Sequence, residues 1–288
     1  ELLEVVALHL DEGERTLPAQ HLRARHRGCM SPEVLRWERA LAAGLMPGGA
    51  VRSIVVVEES PSTQDLARAA HGEAGTACFA LRQTAGRGRL GRAWADTQDD
   101  GIAVTFVLPV AAPDVLAMRS AVAAARAIGG FVPSAGIKWP NDVVIDGRKA
   151  AGVLVECADG RAFVGIGINV AQRAFPPELD AHATSLARAG ATADRLDVAL
   201  ALVRAVEDAW ALGPGPLAAA YRSLDRLSGR TCRFRTPDGI VEGRVVTVDP
   251  QRGIEVATAS GPRFLPAATT SVVPPDGARR YGDVDVPA

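Results

Sequence analysis

Apolar residues recur along this chain in two rhythms, and the rhythm changes near residue 50. In the first stretch Leu2, Leu3, Val6 and Leu10 fall at helical spacing. A second helix is expected from Pro18 to His26. A third has Ser31 as its cap and Pro32 at its first position, carries Leu35 and Leu41, and stops at Gly44. Pro47-Gly48-Gly49 then reads as a linker. From Val51 strand-like runs take over: 51–58, 77–81 and 102–108, with a helix at 65–70. Asp114 is expected to cap an alanine-rich helix ending at Gly129-Gly130. A meander of strands follows at 137–145, 151–157 and 162–170, turning at Asp146-Gly147 and Asp159-Gly160. Residues 194–212 and 216–223 return to helical spacing. Beyond Ser228-Gly229 come four short strands at 231–235, 241–249, 253–257 and 262–265, which predict a small β-barrel.

These elements predict an α/β (α+β) fold with a mixed, largely antiparallel sheet and helices grouped beside it. They also predict four parts: a helical, helix-turn-helix-like segment at 1–48, a main domain at 49–227, the barrel at 228–275 and a tail at 276–288.

The stretch Gly86-Arg87-Gly88-Arg89-Leu90-Gly91-Arg92-Ala93-Trp94 carries the clearest chemistry. Glycine lets backbone N–H groups come close to a ligand, and arginine brings a planar, permanently charged donor fork suited to phosphate or carboxylate. Although Gly86-x-Gly88-x-x-Gly91 satisfies the dinucleotide-binding formula, the formula needs a helix directly after it. Turn residues and another strand follow instead, which argues against a Rossmann site. No phosphate-binding loop of the G-x-x-x-x-G-K-[ST] type occurs.

Composition narrows the class. The formal net charge of −1 over 288 residues gives no global basic field for nucleic acid. The longest apolar runs are strand-sized, so no membrane span is expected. No signal peptide is evident, and four widely spaced cysteines without a C-x-x-C pair fit a reducing cytoplasm and predict no metal site. His21 and His26 read as surface residues.

Four further segments stand out. Ser60-Pro61-Ser62-Thr63-Gln64 sets hydrogen-bonding side chains at a strand-to-helix junction, and Gln83 lies just before the glycine–arginine stretch. Lys138-Trp139-Pro140-Asn141-Asp142 puts a lysine on a strand, then a proline that breaks pairing. Gly165-Ile166-Gly167-Ile168-Asn169 thins a central strand, as happens where a group approaches the backbone closely. Lys149, beside Arg148, reads as a solvated hairpin flank.

In order and spacing, the motifs at 86–94, 138–142, 149–156 and 165–169 resemble the catalytic domain of bacterial biotin protein ligases. The resemblance covers about residues 52–275. It implies the fold shared with class II aminoacyl-tRNA synthetases and a Src-homology-3-like C-terminal barrel. It implies that biotin and ATP, with Mg2+, form biotinyl-5′-AMP, and that biotin passes to a lysine of a biotin carboxyl carrier protein. By the same resemblance, Ser62, Thr63, Gln64 and Gln83 match positions that bind the ureido ring. Arg87, Gly88 and Arg89 match the stretch over biotin and its adenylate, and Gly152, Gly165 and Gly167 match the floor of the biotin site. Trp94, Asn141 and Asn169 match the adenylate side, with Arg87 and Arg89. Lys138 matches the lysine at the carboxylate and α-phosphate, so Lys138 and Arg89 are the expected catalytic pair. Two departures are visible: Gln64 stands where asparagine is more familiar, and Leu90 where a basic residue is common. Some family members are also DNA-binding repressors and some form homodimers. Against DNA binding here, no β-wing is evident after Gly44, and acids outnumber arginines in residues 1–50.

Overall fold

The computed structural model describes residues 31–70, 73–88, 93–94 and 100–273. The helices expected before residue 31, Arg89 to Arg92 and the tail lie outside the described residues.

Helix α1 (Pro32–Ala43) starts as its sequence predicts: Ser31 accepts a hydrogen bond from the Val34 N–H and Pro32 opens the first turn. Val34, Trp37 and Leu41 line one face and are buried. That face packs on strand β1 (Ser53–Ser60) and helix α5 (Arg195–Ala211). Trp37 meets the ring of Phe79 edge-on at 6.3 Å. The linker after α1 is bolted down by Glu207, whose carboxylate accepts the N–H groups of Ala50 and Val51 at 2.7 and 2.8 Å. The helix therefore shares its core with the sheet, across the boundary drawn at residue 48.

The main sheet adds β2 (Thr76–Gln83), β5 (Gly101–Pro109), β6 (Gly136–Lys138), β7 (Asp142–Ile145), β8 (Arg148–Ala158) and β9 (Arg161–Asn169). The spatial order is β1-β2-β5-β9-β8-β7-β6. Only β1 and β2 run parallel; every other neighbouring pair is antiparallel, as the hairpin pattern predicts. The turns Asp146-Gly147 and Asp159-Gly160 each hold both residues at positive φ, the twist that two-residue hairpins need. Helices α3 (Pro113–Gly129), α5 and α6 (Pro214–Leu224) pack together beside the sheet, while α2 (Thr63–Ala69) lies against β2, β5 and β9. A short α4 (Pro177–Asp180) follows β9.

Three expectations need correction. Asp114 does not cap α3; Ala112 holds that position without a side-chain bond, Pro113 opens the helix, and the Asp114 carboxylate accepts from Gln251 Nε2 at 2.8 Å. Residues 137–145 are not one strand. Pro140 cannot donate to a ladder, so the chain folds back and β6 pairs with β7, Lys138 opposite Asp142. The C-terminal sheet has five strands, not four: β10 (Thr231–Thr236), β11 (Gly239–Asp249), β12 (Gly253–Thr258), β13 (Gly261–Pro266) and β14 (Ser271–Val273). The overlooked β14 pairs with β10 and completes a small barrel-like unit.

Candidate functional site

A cavity of about 280 Å³ opens between α2, the middle strands of the sheet and the barrel. At one end a buried set of uncharged polar groups converges. The N–H of Thr63 donates to Gln83 Oε1 at 2.9 Å, and the Thr63 hydroxyl donates to the same oxygen at 3.3 Å. Thr105 donates in turn to Thr63 Oγ1 at 2.9 Å. Ser62 caps α2, its Oγ accepting from the Gln64 N–H. The amide of Gln64 bridges two strands, donating to Leu154 O at 3.3 Å and Phe163 O at 3.2 Å. Its Oε1 is buried without a hydrogen-bond partner, and an unmade bond on a buried acceptor costs about 1–3 kcal/mol. The structure thus brings together all four residues expected at this end.

The thin region of β8 and β9 has a specific occupant. Strands β3 (Gly86–Arg87) and β4 (Ala93–Trp94) form a two-residue ladder, which sets the Trp94 indole over the cross-strand pair Gly152 and Gly167. A Cβ added at Gly167 would come within 2.5 Å of that ring, and one at Gly152 within 3.1 Å. At Gly165 it would meet Gln64 Nε2 at 2.9 Å. The three glycines keep the floor low enough for both side chains.

Charge gathers at the other end. Lys138 lines the cavity on the barrel side. Lys149, expected in solvent, lines it too: its Nζ pairs with Asp142 Oδ1 at 2.7 Å and stands 5.7 Å from the centre of the Trp94 ring. Its position follows from backbone bonds between Lys149 and residues 182 and 184, at 2.8 and 2.9 Å. The same connection brings Phe175, Leu179 and His182 to the wall, and the barrel contributes Thr270, Ser271 and Val272. None of these carried a sequence signal, because they reach the cavity through pairings between distant segments.

Asn141 and Asn169 are buried beside the cavity and hold its frame. Asn141 donates to Val153 O at 2.8 Å and Asn169 to Thr184 O at 2.9 Å. The turn between β6 and β7 is held by Tyr221, whose hydroxyl donates to Pro140 O at 2.8 Å. Burial pushes the Tyr221 pKa well up, and Asp225 and Asp142 push it the same way, so the group stays a donor. Arg87 and Gly88 line the cavity, but the Arg87 fork is taken by Asp65 of α2 in two bonds of 2.7 Å. That hydrogen bonding raises the already high pKa of Arg87. Arg89, the other expected arginine, lies outside the described residues. Among the described residues no group of three or more His, Cys, Asp or Glu could hold a metal ion, and no helix is long and apolar enough to cross a membrane.

The profile of the biotin/lipoate A/B protein ligase family matches residues 55–172. A biotin–[acetyl-CoA-carboxylase] ligase of Mycobacterium tuberculosis is 38% identical over an alignment of 221 residues that covers 70% of this chain and 82% of that protein. A bifunctional ligase/repressor of Bacillus subtilis is 33% identical over an alignment of 207 residues that covers 65% of this chain and 63% of the relative. Among solved structures, a biotin protein ligase from Aquifex aeolicus in complex with biotin and ATP superposes with a TM-score of 0.68. It is 28% identical and is covered over 97% of its length by 76% of this chain.

Proposed function

The chain belongs to the biotin/lipoate A/B protein ligase family, on its biotin protein ligase branch, and from the site it builds we propose how it joins biotin to a protein with ATP. The observation that carries the reading is the polarity of the cavity: neutral, buried hydrogen-bonding groups at one end and two lysines at the other. A ureido ring is uncharged and rich in donors and acceptors, so Ser62, Thr63, Gln64 and Gln83 suit it. The open Gln64 Oε1 is an acceptor for a ring N–H. The valerate carboxylate then points toward Lys138 and Lys149.

In the first step a carboxylate oxygen of biotin attacks the α-phosphorus of ATP, supplied as its magnesium complex. The bond to the bridging oxygen breaks, and biotinyl-5′-AMP and pyrophosphate result. Two anions must meet, so fixed cations are required where the new bond forms. Lys149 stands beside the glycine floor and Lys138 on the barrel side, and charge-assisted hydrogen bonds of this kind contribute roughly 1.5–3 kcal/mol each. Trp94 offers a flat apolar face for the nucleotide, and Asn141 and Asn169 keep the surrounding backbone in place. In the second step the uncharged amine of an acceptor lysine attacks the acyl carbon, AMP leaves, and the amine proton goes to solvent or to the departing phosphate. Arg89 is assigned to the adenylate on the motif alone.

The acceptor is a biotin carboxyl carrier domain, and the compartment is the cytoplasm. Helix α1 has its apolar face committed to the ligase core, so it is packed as part of the catalytic unit. The test is exchange of labelled pyrophosphate into ATP. Exchange should require biotin, and transfer to a carrier lysine should follow. Exchange that runs with lipoate and not with biotin would overturn the reading.

A further inference from the structure

Strands β2 and β5 are paired from Thr76 and Val107 to Ala80 and Ala103, and then they part. Beyond that point β2 keeps company with β1, Ser60 opposite Gln83, while β5 stays with β9, Gly101 opposite Asn169. β2 carries Gln83, expected at biotin, to one side of the cavity, while β5 holds the end of β9, which carries Asn169, expected at the adenylate, on the other. The parting strands also leave backbone carbonyls without a ladder partner where they separate, and such groups need another donor.

Arg195 supplies it. From the first turn of α5 its Nε donates to Gly101 O at 2.8 Å and its Nη2 to Leu81 O at 2.5 Å. The guanidinium lies 5.3 Å from the centre of the Trp37 ring of α1, which restricts its tilt. Arg195 is not among the residues lining the cavity. We propose that Arg195 is a positioning residue for ligation: its fork sets the separation of β2 and β5 and thereby the span between Gln83 and Asn169. The planar arginine fork is suited to this because two donors in fixed geometry meet two carbonyls on different strands, which a lysine ammonium on one flexible stem cannot reproduce. The link also ties the site to α1, so the N-terminal helix supports ligand geometry as well as the core.

This assignment rests on the reading of the cavity as the ligation site, and the experiment keeps the two apart. Biotin-dependent pyrophosphate exchange is measured on the full chain with Arg195→Met and Arg195→Lys. Methionine keeps an unbranched apolar stem and removes both donors; lysine keeps the charge with a single donor group. Arg195→Met should raise KM for biotin and for ATP about tenfold, about 1.4 kcal/mol of binding, with kcat within about twofold. Arg195→Lys should fall between it and the unaltered chain. A loss shared equally by the bound substrates and the transition state moves KM in this way, whereas a purely structural arginine would lower the unfolding temperature and leave KM alone. Should Arg195→Met fail to fold, Arg195→Lys decides: KM raised at least about threefold supports the role, and unchanged KM overturns it. Absence of biotin-dependent exchange in the unaltered chain would refute the ligase reading instead.

Discussion

Replacing Lys149 with alanine is expected to lower the rate of biotin-dependent pyrophosphate exchange by about 10²–10³, the usual cost of deleting a group that stabilises charge in the transition state. The amine is held by Asp142 and faces the Trp94 ring beside Gly152, where the carboxylate and the α-phosphate would meet. Its side chain is 40% exposed, so the alanine variant leaves no buried hole and should unfold near the temperature of the unaltered chain. Lys138→Ala belongs in the same experiment, with a loss of the same order, because it brings the second positive charge to the same end of the cavity. Retention of more than about a tenth of the exchange rate in the Lys149 variant would remove it from the chemistry. A large loss accompanied by a collapse in unfolding temperature would mean that its pairing with Asp142 serves the fold.

Trp37→Ala is expected to destabilise the whole catalytic unit by about 3–5 kcal/mol, the range for truncating a buried tryptophan. For a domain of this size that corresponds to a fall in Tm of roughly 6–20 °C. The ring is 3% exposed, meets Phe79 of β2 edge-on and carries Arg195 over its face. An element hinged away from the ligase would unfold separately, and thermal unfolding would then show the main transition unmoved. That outcome would detach α1 from the core. For the same reason, a truncation meant to ask whether the N-terminal region binds DNA has to cut before Ser31, since removing residues 1–48 also strips the helix that buries Leu41 and Trp37.

Much of the fold was legible because its signals are local. Ser31 caps α1, and the Asp-Gly pairs turn their hairpins as expected, since a cap or a turn is decided by three or four consecutive residues. The polar cluster at Ser62 to Gln64 was legible for a related reason: a strand-to-helix junction displays its side chains in one direction. What sequence reading missed is long-range. Lys149 looks like a solvent-facing flank until residues 182 and 184 pair along it. The amphipathic face of α1 predicts burial but not the surface that buries it. The glycines of β9 announced a close approach, while the approaching group, Trp94, arrives from a different hairpin. The break at Pro140 was visible in the sequence, yet the apolar run on either side masked the reversal it produces.

The indole resting on Gly152 and Gly167 gives the protein an optical property of its own. Of the four tryptophans, Trp37 is buried and Trp210 half-buried, both away from the cavity; Trp139 is buried at its wall, and Trp94 is partly covered and stands on its floor. A ligand that enters must slide beneath that ring, cover it or turn it aside, and each event changes the polarity around the indole. Its emission is a built-in gauge of occupancy, readable without a label or a coupled assay, and it can follow filling of the site on the timescale of stopped-flow mixing.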